Sequence, residues 1–309
     1  MNFDKNYIMN IAKETYFIKD NIEKVLRLCS ILNFIFSDTY LKDKLVLKGG
    51  TAINLFYANL PRLSVDIDLD FTLDVNKDEL VIYKENIKKI IIDYMVKEDF
   101  ILKNSTKEYY SLISLVFNYK NSANNLDTIK IEINFMDRIH ILPLEIKNCN
   151  HYNNFKCRDI KVLNPIELYA SKINALISRG ASRDIYDVYK MINLNIIKDY
   201  DLLKKCLIFY SMVGGEQNID NINFSKIMNL SYHDIKLKLK PVLSKNDSFN
   251  YQDAKEIVIN YINNLLIFDD SDYKFINEFR IKKYNPELLF NDEIANKLKN
   301  HPMAIWRCK

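Results

Sequence analysis

The chain has 309 residues, 48% of them hydrophobic and 27% charged, with a formal net charge of +4. That mix suits a folded enzyme and excludes a disordered, fibrous or collagen-like chain. The weakly basic balance is compatible with nucleotide or RNA partners without demanding them.

No apolar run approaches the roughly eighteen residues of a membrane span, and Met1 to Lys5 has no signal-peptide h-region. A cytoplasmic protein with no membrane partner is therefore expected. Cys29, Cys149, Cys157, Cys206 and Cys308 form no Cys-x-x-Cys pair, and His140, His151, His233 and His301 form no His-x-x-x-His pair. This argues against a disulfide framework and a zinc site. Any metal should be a hard cation held by carboxylates.

In chain order, the first 45 residues read as helical, with apolar stripes through Ile18, Ile22, Val25 and Leu26 and then Ile31 to Phe36. Leu45 to Leu47 is a short apolar strand leading into Gly49-Gly50-Thr51, and Ala52 to Tyr57 reads as a helix. Val65 to Phe71 alternates as a strand, and Asp78 to Glu98 has helical periodicity. Ser111 to Tyr119 and Ile129 to Phe135 read as a hairpin around the polar turn 118–125. A polar loop is expected at Asn148 to Asn154, then a strand at Arg158 to Leu163. Asn164-Pro165-Ile166-Glu167 is a helix-start signal, with an N-cap residue, proline at the first position and Glu at the third. The chain is mostly helical beyond it. The expected fold class is α/β (α+β), with one domain over 1–163 and a helical domain over 164–309.

Residues two apart on a strand share a face, so Asp66 and Asp68 present adjacent carboxylates while Val65, Ile67, Leu69 and Phe71 face the core. Such carboxylates repel unless a cation lies between them, as when a magnesium pair bridges triphosphate oxygens. Gly49 and Gly50 let backbone approach a phosphate closely. No Walker loop is present. A third carboxylate should lie on a neighbouring strand; Glu132 fits, on a polar face with Lys130 and Asn134. The plain alternative is that Asp66, Asp68 and Asp70 form a solvated strand face.

On the helix opened by Pro165, the core stripe is Ile166, Tyr169, Ile173 and Leu176 or Ile177. Lys172 and Arg179 share the opposite face, either to neutralise phosphates or as a solvated surface. Asp184 and Asp187 lie one turn apart, with Asp187 placed for an i,i+4 pair with Arg183. Lys236, Lys238 and Lys240 alternate with Leu237 and Leu239, as an exposed strand face or a basic ridge for RNA.

These residues carry a resemblance. Lys48-Gly49-Gly50-Thr51-Ala52, Arg62-x-Ser64-x-Asp66-Ile67-Asp68-Leu69, Lys172, Arg179, Arg183-Asp184-x-x-Asp187 and His301-Pro302-Met303-Ala304-x-Trp306 together resemble the AbiEii/AbiGii toxin family. The family belongs to the polymerase-β-like superfamily, and MenT toxins are related to it. The resemblance covers roughly residues 40 to 309. It implies a polymerase-β-like mixed sheet with flanking helices and a helical C-terminal domain that completes the nucleotide cleft. It also implies a magnesium-dependent nucleotidyltransferase of the EC 2.7.7 type, in a toxin–antitoxin or abortive-infection system for phage defence.

The resemblance further implies two magnesium ions with bound NTP, an RNA acceptor (the tRNA 3′ end above all), and a cognate antitoxin of winged-helix type. Asp66, Asp68 and Glu132 would hold metal. Lys172, Asp184 and Asp187 would join them in catalysis, with Lys172 on the departing pyrophosphate. Lys48, Gly49, Gly50, Thr51, Arg62, Ser64, Arg179 and Arg183 would bind the nucleotide. Gly50 departs from relatives with Ser there, and Thr51 is expected to supply the hydroxyl instead. Two rivals stand: transfer to a protein or small-molecule hydroxyl, and a non-catalytic binding module.

Overall fold

In a computed structural model, which describes residues 3–215 and 218–309, the chain forms a mixed α/β protein of two compact units. The first comprises Met1–Arg138, Leu144–Val162 and Val242–Asn246; the second comprises Ile139–Pro143, Leu163–Pro241 and Asp247–Lys309. Each unit thus borrows a short segment from the other's stretch of sequence. Among the described residues no helix is long and apolar enough to cross a membrane.

The first unit contains α1 (Lys5–Thr15), α2 (Lys19–Ser37), β1 (Leu45–Lys48), α3 (Gly49–Ala52), β2 (Asp66–Phe71), α4 (Lys77–Lys97), β3 (Ile101–Leu102), β4 (Lys107–Glu108), β5 (Leu112–Lys120), β6 (Leu126–Asn134), β7 (Glu145–His151) and β8 (Phe155–Val162). The strands form one sheet in the order β3-β5-β6-β2-β1-β8-β7, with β4 on β5. β2 runs parallel to β6 and antiparallel to β1, and β1 runs parallel to β8. The α2 helix packs across β8 through a face that includes Ile22, Leu28, Ile31, Leu32 and Ile35, all 0% exposed. Asn76 opens α4 with a reciprocal capping box to Glu79, which satisfies first-turn donors at both ends of the exchange.

Two local expectations need correction in this unit. Helix begins at Gly49, not Ala52: Gly49 adopts φ +70 and turns the strand directly into the helix, and the following turn, Ile53–Tyr57, is π-type. The polar loop expected over Asn148 to Asn154 is largely strand. β7 pairs with β8 through a three-residue connection, 152–154, in which Tyr152 and Asn153 are both left-handed and Asn154 N–H donates to the His151 carbonyl at 3.0 Å. Positive φ at both central positions of the His151–Asn154 turn gives a twist that suits flanking strands. The asparagines there encode a tight turn.

The second unit contains α5 (Pro165–Arg179), α6 (Ser182–Asn193), α7 (Tyr200–Gly214), α8 (Ser225–Met228), α9 (Tyr232–Asp234), α10 (Tyr251–Leu265), α11 (Asp270–Arg280), α12 (Asp292–Leu298) and α13 (Pro302–Cys308). Asn164 caps α5 by accepting from the Ile166 amide, and Gly180 ends it in the left-handed region. Glu167 does not serve as a cap partner. It is 0% exposed, its carboxylate accepts from the Ile141 and Leu142 amides at 2.9 and 2.7 Å, and the Tyr210 hydroxyl donates to it. Burial pushes the Glu167 carboxyl up, against the hydrogen bonds from Tyr210, Leu142 and Ile141. The core stripe also shifts: Leu168, Tyr169, Ala170, Ile173, Leu176 and Ile177 are buried, whereas Ile166 is half-buried.

The lysine run at 236–240 is helical, not strand. Ser231 caps the segment by accepting from the Asp234 amide, and a π-type turn spans Ile235–Leu239. Ile235 and Leu239, four apart, are buried, while Leu237 between them is 58% exposed. The apolar period is therefore that of a helix, although the Lys-Leu alternation imitates a strand.

Candidate active site

The strand register gathers the acidic residues. Asp68 lies opposite Lys48 on β1 and Glu132 on β6; Glu132 lies opposite Ser114 on β5; and Asp66 lies opposite Lys130. One sheet face thus carries Asp66, Asp68 and Glu132 side by side. The other carries Leu47, Ile67, Leu69, Phe71, Ile131 and Ile133, all 0% exposed. Alternation along each strand, combined with a buried apolar face, fixes this register, because a one-residue slip would bury every carboxylate.

The charges are unevenly balanced. Burial pushes the Asp68 carboxyl above its ordinary range; Asp66 and Glu132 push the same way, while Lys48 and Lys130 oppose them. Glu132 accepts from Lys130 at 2.9 Å and from the Ser114 hydroxyl at 3.0 Å. Asp70 is not part of a solvated face: it is 2% exposed and pairs with Lys48 at 2.5 Å. Burial alone would lower the Lys48 ammonium, but Asp70 and Asp137 raise it above the usual lysine range. Lys48 thereby helps hold β1 against β2.

Gly49 and Gly50 border this acidic face. A Cβ on Gly49 would overlap Asp68 Oδ2, and one on Gly50 would sit 3.0 Å from both Arg62 Nη2 and Ser64 Oγ. The bare Gly50 backbone is therefore flanked by a guanidinium and a hydroxyl. Thr51 does not supply the expected phosphate hydroxyl: it is 0% exposed and donates to the Asp66 carbonyl at 2.5 Å, tying α3 to β2. Ser64 is the hydroxyl next to the glycine pair. Gly49→Ala is expected to destabilise the first unit by about 1–2 kcal/mol, because alanine is strained in the left-handed region and must displace the Asp68 carboxylate. Gly50→Ala, at a position without positive φ, should cost less, and urea melts of the two variants check the contrast.

The residues present fit a hard divalent cation. Asp66 and Asp68 supply carboxylate oxygens on one strand face, and their mutual repulsion is what a cation relieves. Among the described residues no three His, Cys, Asp or Glu side chains are already drawn together around a common point; Glu132 is engaged by Lys130 and Ser114.

A second cluster lies within the other unit. Lys172 Nζ is 3.0 Å from Asp184 Oδ1 and 3.2 Å from Asp187 Oδ2, and Arg179 makes a two-pronged contact with Asp184 at 2.6 and 3.0 Å. Burial raises the Asp184 carboxyl, but Lys172 and Arg179 outweigh it and hold the carboxyl below its ordinary range. Arg183, one turn before Asp187 on the same helix, donates through Nε to the Lys238 carbonyl at 2.8 Å. Lys172 and Arg179 share a face, as helical spacing predicts, and that face is tied to α6 by Asp184.

Sequence reasoning missed Ser114 and the Lys48–Asp70 pair. Ser114 could have been found, since it is the polar residue between Ile113 and Leu115 on the strand that pairs with Glu132. Nothing local marks Asp70 as buried.

Three comparisons bear on this arrangement. The sequence profile of the family described as nucleotidyl transferase AbiEii toxin, type IV TA system, matches residues 31–256. Among solved structures, the chain is similar to MenT4, a nucleotidyltransferase toxin from Mycobacterium tuberculosis H37Rv. The TM-score is 0.59 at 15% sequence identity, with 92% of this chain and 93% of that chain covered. At that identity the likeness speaks to the fold alone. A comparison with curated protein sequences finds no match. The profile spans well over half of the chain and includes the glycine turn, the paired aspartates and the Lys172–Asp184 cluster; the chain belongs to the AbiEii family of nucleotidyltransferase toxins of type IV toxin–antitoxin systems.

Proposed function

We propose that the chain transfers a nucleotide from an NTP to an RNA acceptor, the tRNA 3′ end, as the toxin opposite a winged-helix antitoxin. The observation that carries this reading is the shared strand face of Asp66, Asp68 and Glu132 beside Gly49 and Gly50. Magnesium, held by Asp66 and Asp68 with Glu132 as the third carboxylate, would neutralise phosphate charge and polarise the transferred phosphoryl group.

The residues divide the remaining work. Gly49 and Gly50 let the triphosphate approach the backbone, with Arg62 and Ser64 as flanking donors. Asp66 and Asp68 would hold the cation that neutralises the phosphoryl oxygens, and Glu132 accepts the proton of the attacking hydroxyl. A bond forms between the acceptor oxygen and the α-phosphorus, the bond to the β-phosphate oxygen breaks, and pyrophosphate leaves. Lys172, with Asp184 and Asp187 holding its ammonium, is assigned by family resemblance to the charge on that pyrophosphate.

The test is to incubate the protein with α-labelled NTPs, magnesium and total tRNA. Label in RNA that disappears with EDTA supports the proposal. Label in a protein band with none in RNA replaces the acceptor. No label, with toxicity retained in Asp66→Ala, overturns catalysis altogether.

A further inference from the structure

The link between α5 and α6 and the short helices after α7 enclose a pocket of about 580 Å³, a volume typical of small-molecule sites. Its lining carries three cations, Arg179, Lys226 and Lys238, against one carboxylate, Asp234. Gly180 makes the close wall possible: at φ +62, a Cβ there would lie 2.7 Å from the Lys226 carbonyl oxygen.

All three cations reach solvent. Arg179 contacts Asp184, and its side chain is 63% exposed. Lys226 donates to the Ser178 carbonyl, a neutral partner that leaves its charge uncancelled. Lys238 pairs with Asp234 at 2.7 Å but is 66% exposed, and surface pairs of this kind are weak and readily exchanged.

At the same wall α6 begins with Ala181 as its N-cap, which has no side-chain acceptor for the first-turn amides. Ser182, which lines the pocket, is 1% exposed and its hydroxyl has no hydrogen-bond partner. An oxyanion seated here would meet helix N–H groups, the favourable end of the helix dipole and converging cations.

We propose that this pocket, formed wholly by residues of the second unit, binds a phosphate carried on a nucleotide-sized group. Phosphate fits better than carboxylate because it brings more charge and more acceptor oxygens to the three cations. The volume leaves space for the sugar or base attached to it, with Asn229 on the lining as a polar partner. The inference does not depend on which acceptor the toxin modifies.

Titration calorimetry in EDTA, which keeps magnesium from supporting triphosphate binding, tests it with adenosine, AMP, inorganic phosphate and a short oligoribonucleotide. AMP or the oligoribonucleotide should bind and adenosine should not. Lys226→Glu and Lys238→Glu, both at exposed positions, should each weaken binding by about tenfold or more with the native circular dichroism spectrum retained. Lys226→Gln should give a smaller loss. Binding of the oligoribonucleotide without AMP assigns a backbone diester as the source; equal binding of AMP assigns a free nucleotide. Equal affinity for adenosine and AMP, binding of inorganic phosphate as tight as of any nucleotide, or no loss in either charge-reversal variant overturns the proposal.

Discussion

Asp68→Asn is expected to lower nucleotide transfer by about 10³-fold or more while making the metal-free protein more stable, not less. Both effects come from one arrangement. Asp68 lies between Asp66 on its own strand and Glu132 directly across from it, and burial with these two carboxylates pushes its carboxyl up. A raised carboxyl means that the folded state holds its proton more tightly than the unfolded chain does. Wild-type stability therefore falls as pH climbs from the ordinary value of 3.8 through the raised one. The amide carries no charge and escapes that loss, so the stability gap between variant and wild type should widen from about pH 4 to about pH 7. Urea melts at the two pH values measure it. Magnesium should reverse the order, because a cation that binds only the folded wild type adds stability by mass action. A variant that keeps transfer within about tenfold of wild type, or one that gains as much stability from magnesium as wild type does, would sink the assignment.

Much of this site was legible in the sequence because strand geometry is simple. Side chains two apart share a face, so Asp66 and Asp68 were placed together before any partner strand was known, and an alternating segment around Glu132 supplied the third carboxylate. The helix start at Asn164-Pro165 was legible for a similar reason, since its signals are local. What failed depended on partners distant in sequence. Asp70 sits on the same strand face as Asp66 and Asp68, yet the Lys48 side chain covers it. Thr51 has the right chemistry for a phosphate, but its hydroxyl is directed to the Asp66 carbonyl. Glu167 occupies a capping position and instead binds the amides of Ile141 and Leu142. In the 236–240 run the charges repeat every two residues and the buried positions every four, so the pattern of lysines misled where the pattern of burial would have decided.

Asp184→Ala should destabilise the second unit by about 3 kcal/mol, the low end of the range for breaking a buried ion pair. Asp184 is 1% exposed and receives both Lys172 and Arg179. Its loss takes one of the carboxylates from the Lys172 ammonium, which is 10% exposed and also 3.2 Å from Asp187. Arg179 is mostly exposed and rehydrates, which keeps the cost from reaching the upper end. The carboxyl is held below its ordinary range, so its stabilisation is present above the unfolded value and disappears as pH falls through the folded one. Wild type and variant should therefore converge in acid, as chemical denaturation at several pH values would show. The triple variant Lys172→Met/Asp184→Leu/Asp187→Leu separates stability from chemistry, because it removes the ammonium together with both of its buried carboxylates, and apolar side chains of similar volume commonly replace a buried ionic triad without loss. If it recovers the stability lost in Asp184→Ala but transfers no nucleotide, the buried ammonium is retained for its charge toward the substrate. If it recovers both, Lys172 has no part in the reaction, and the site reduces to the carboxylates and glycines of the first unit.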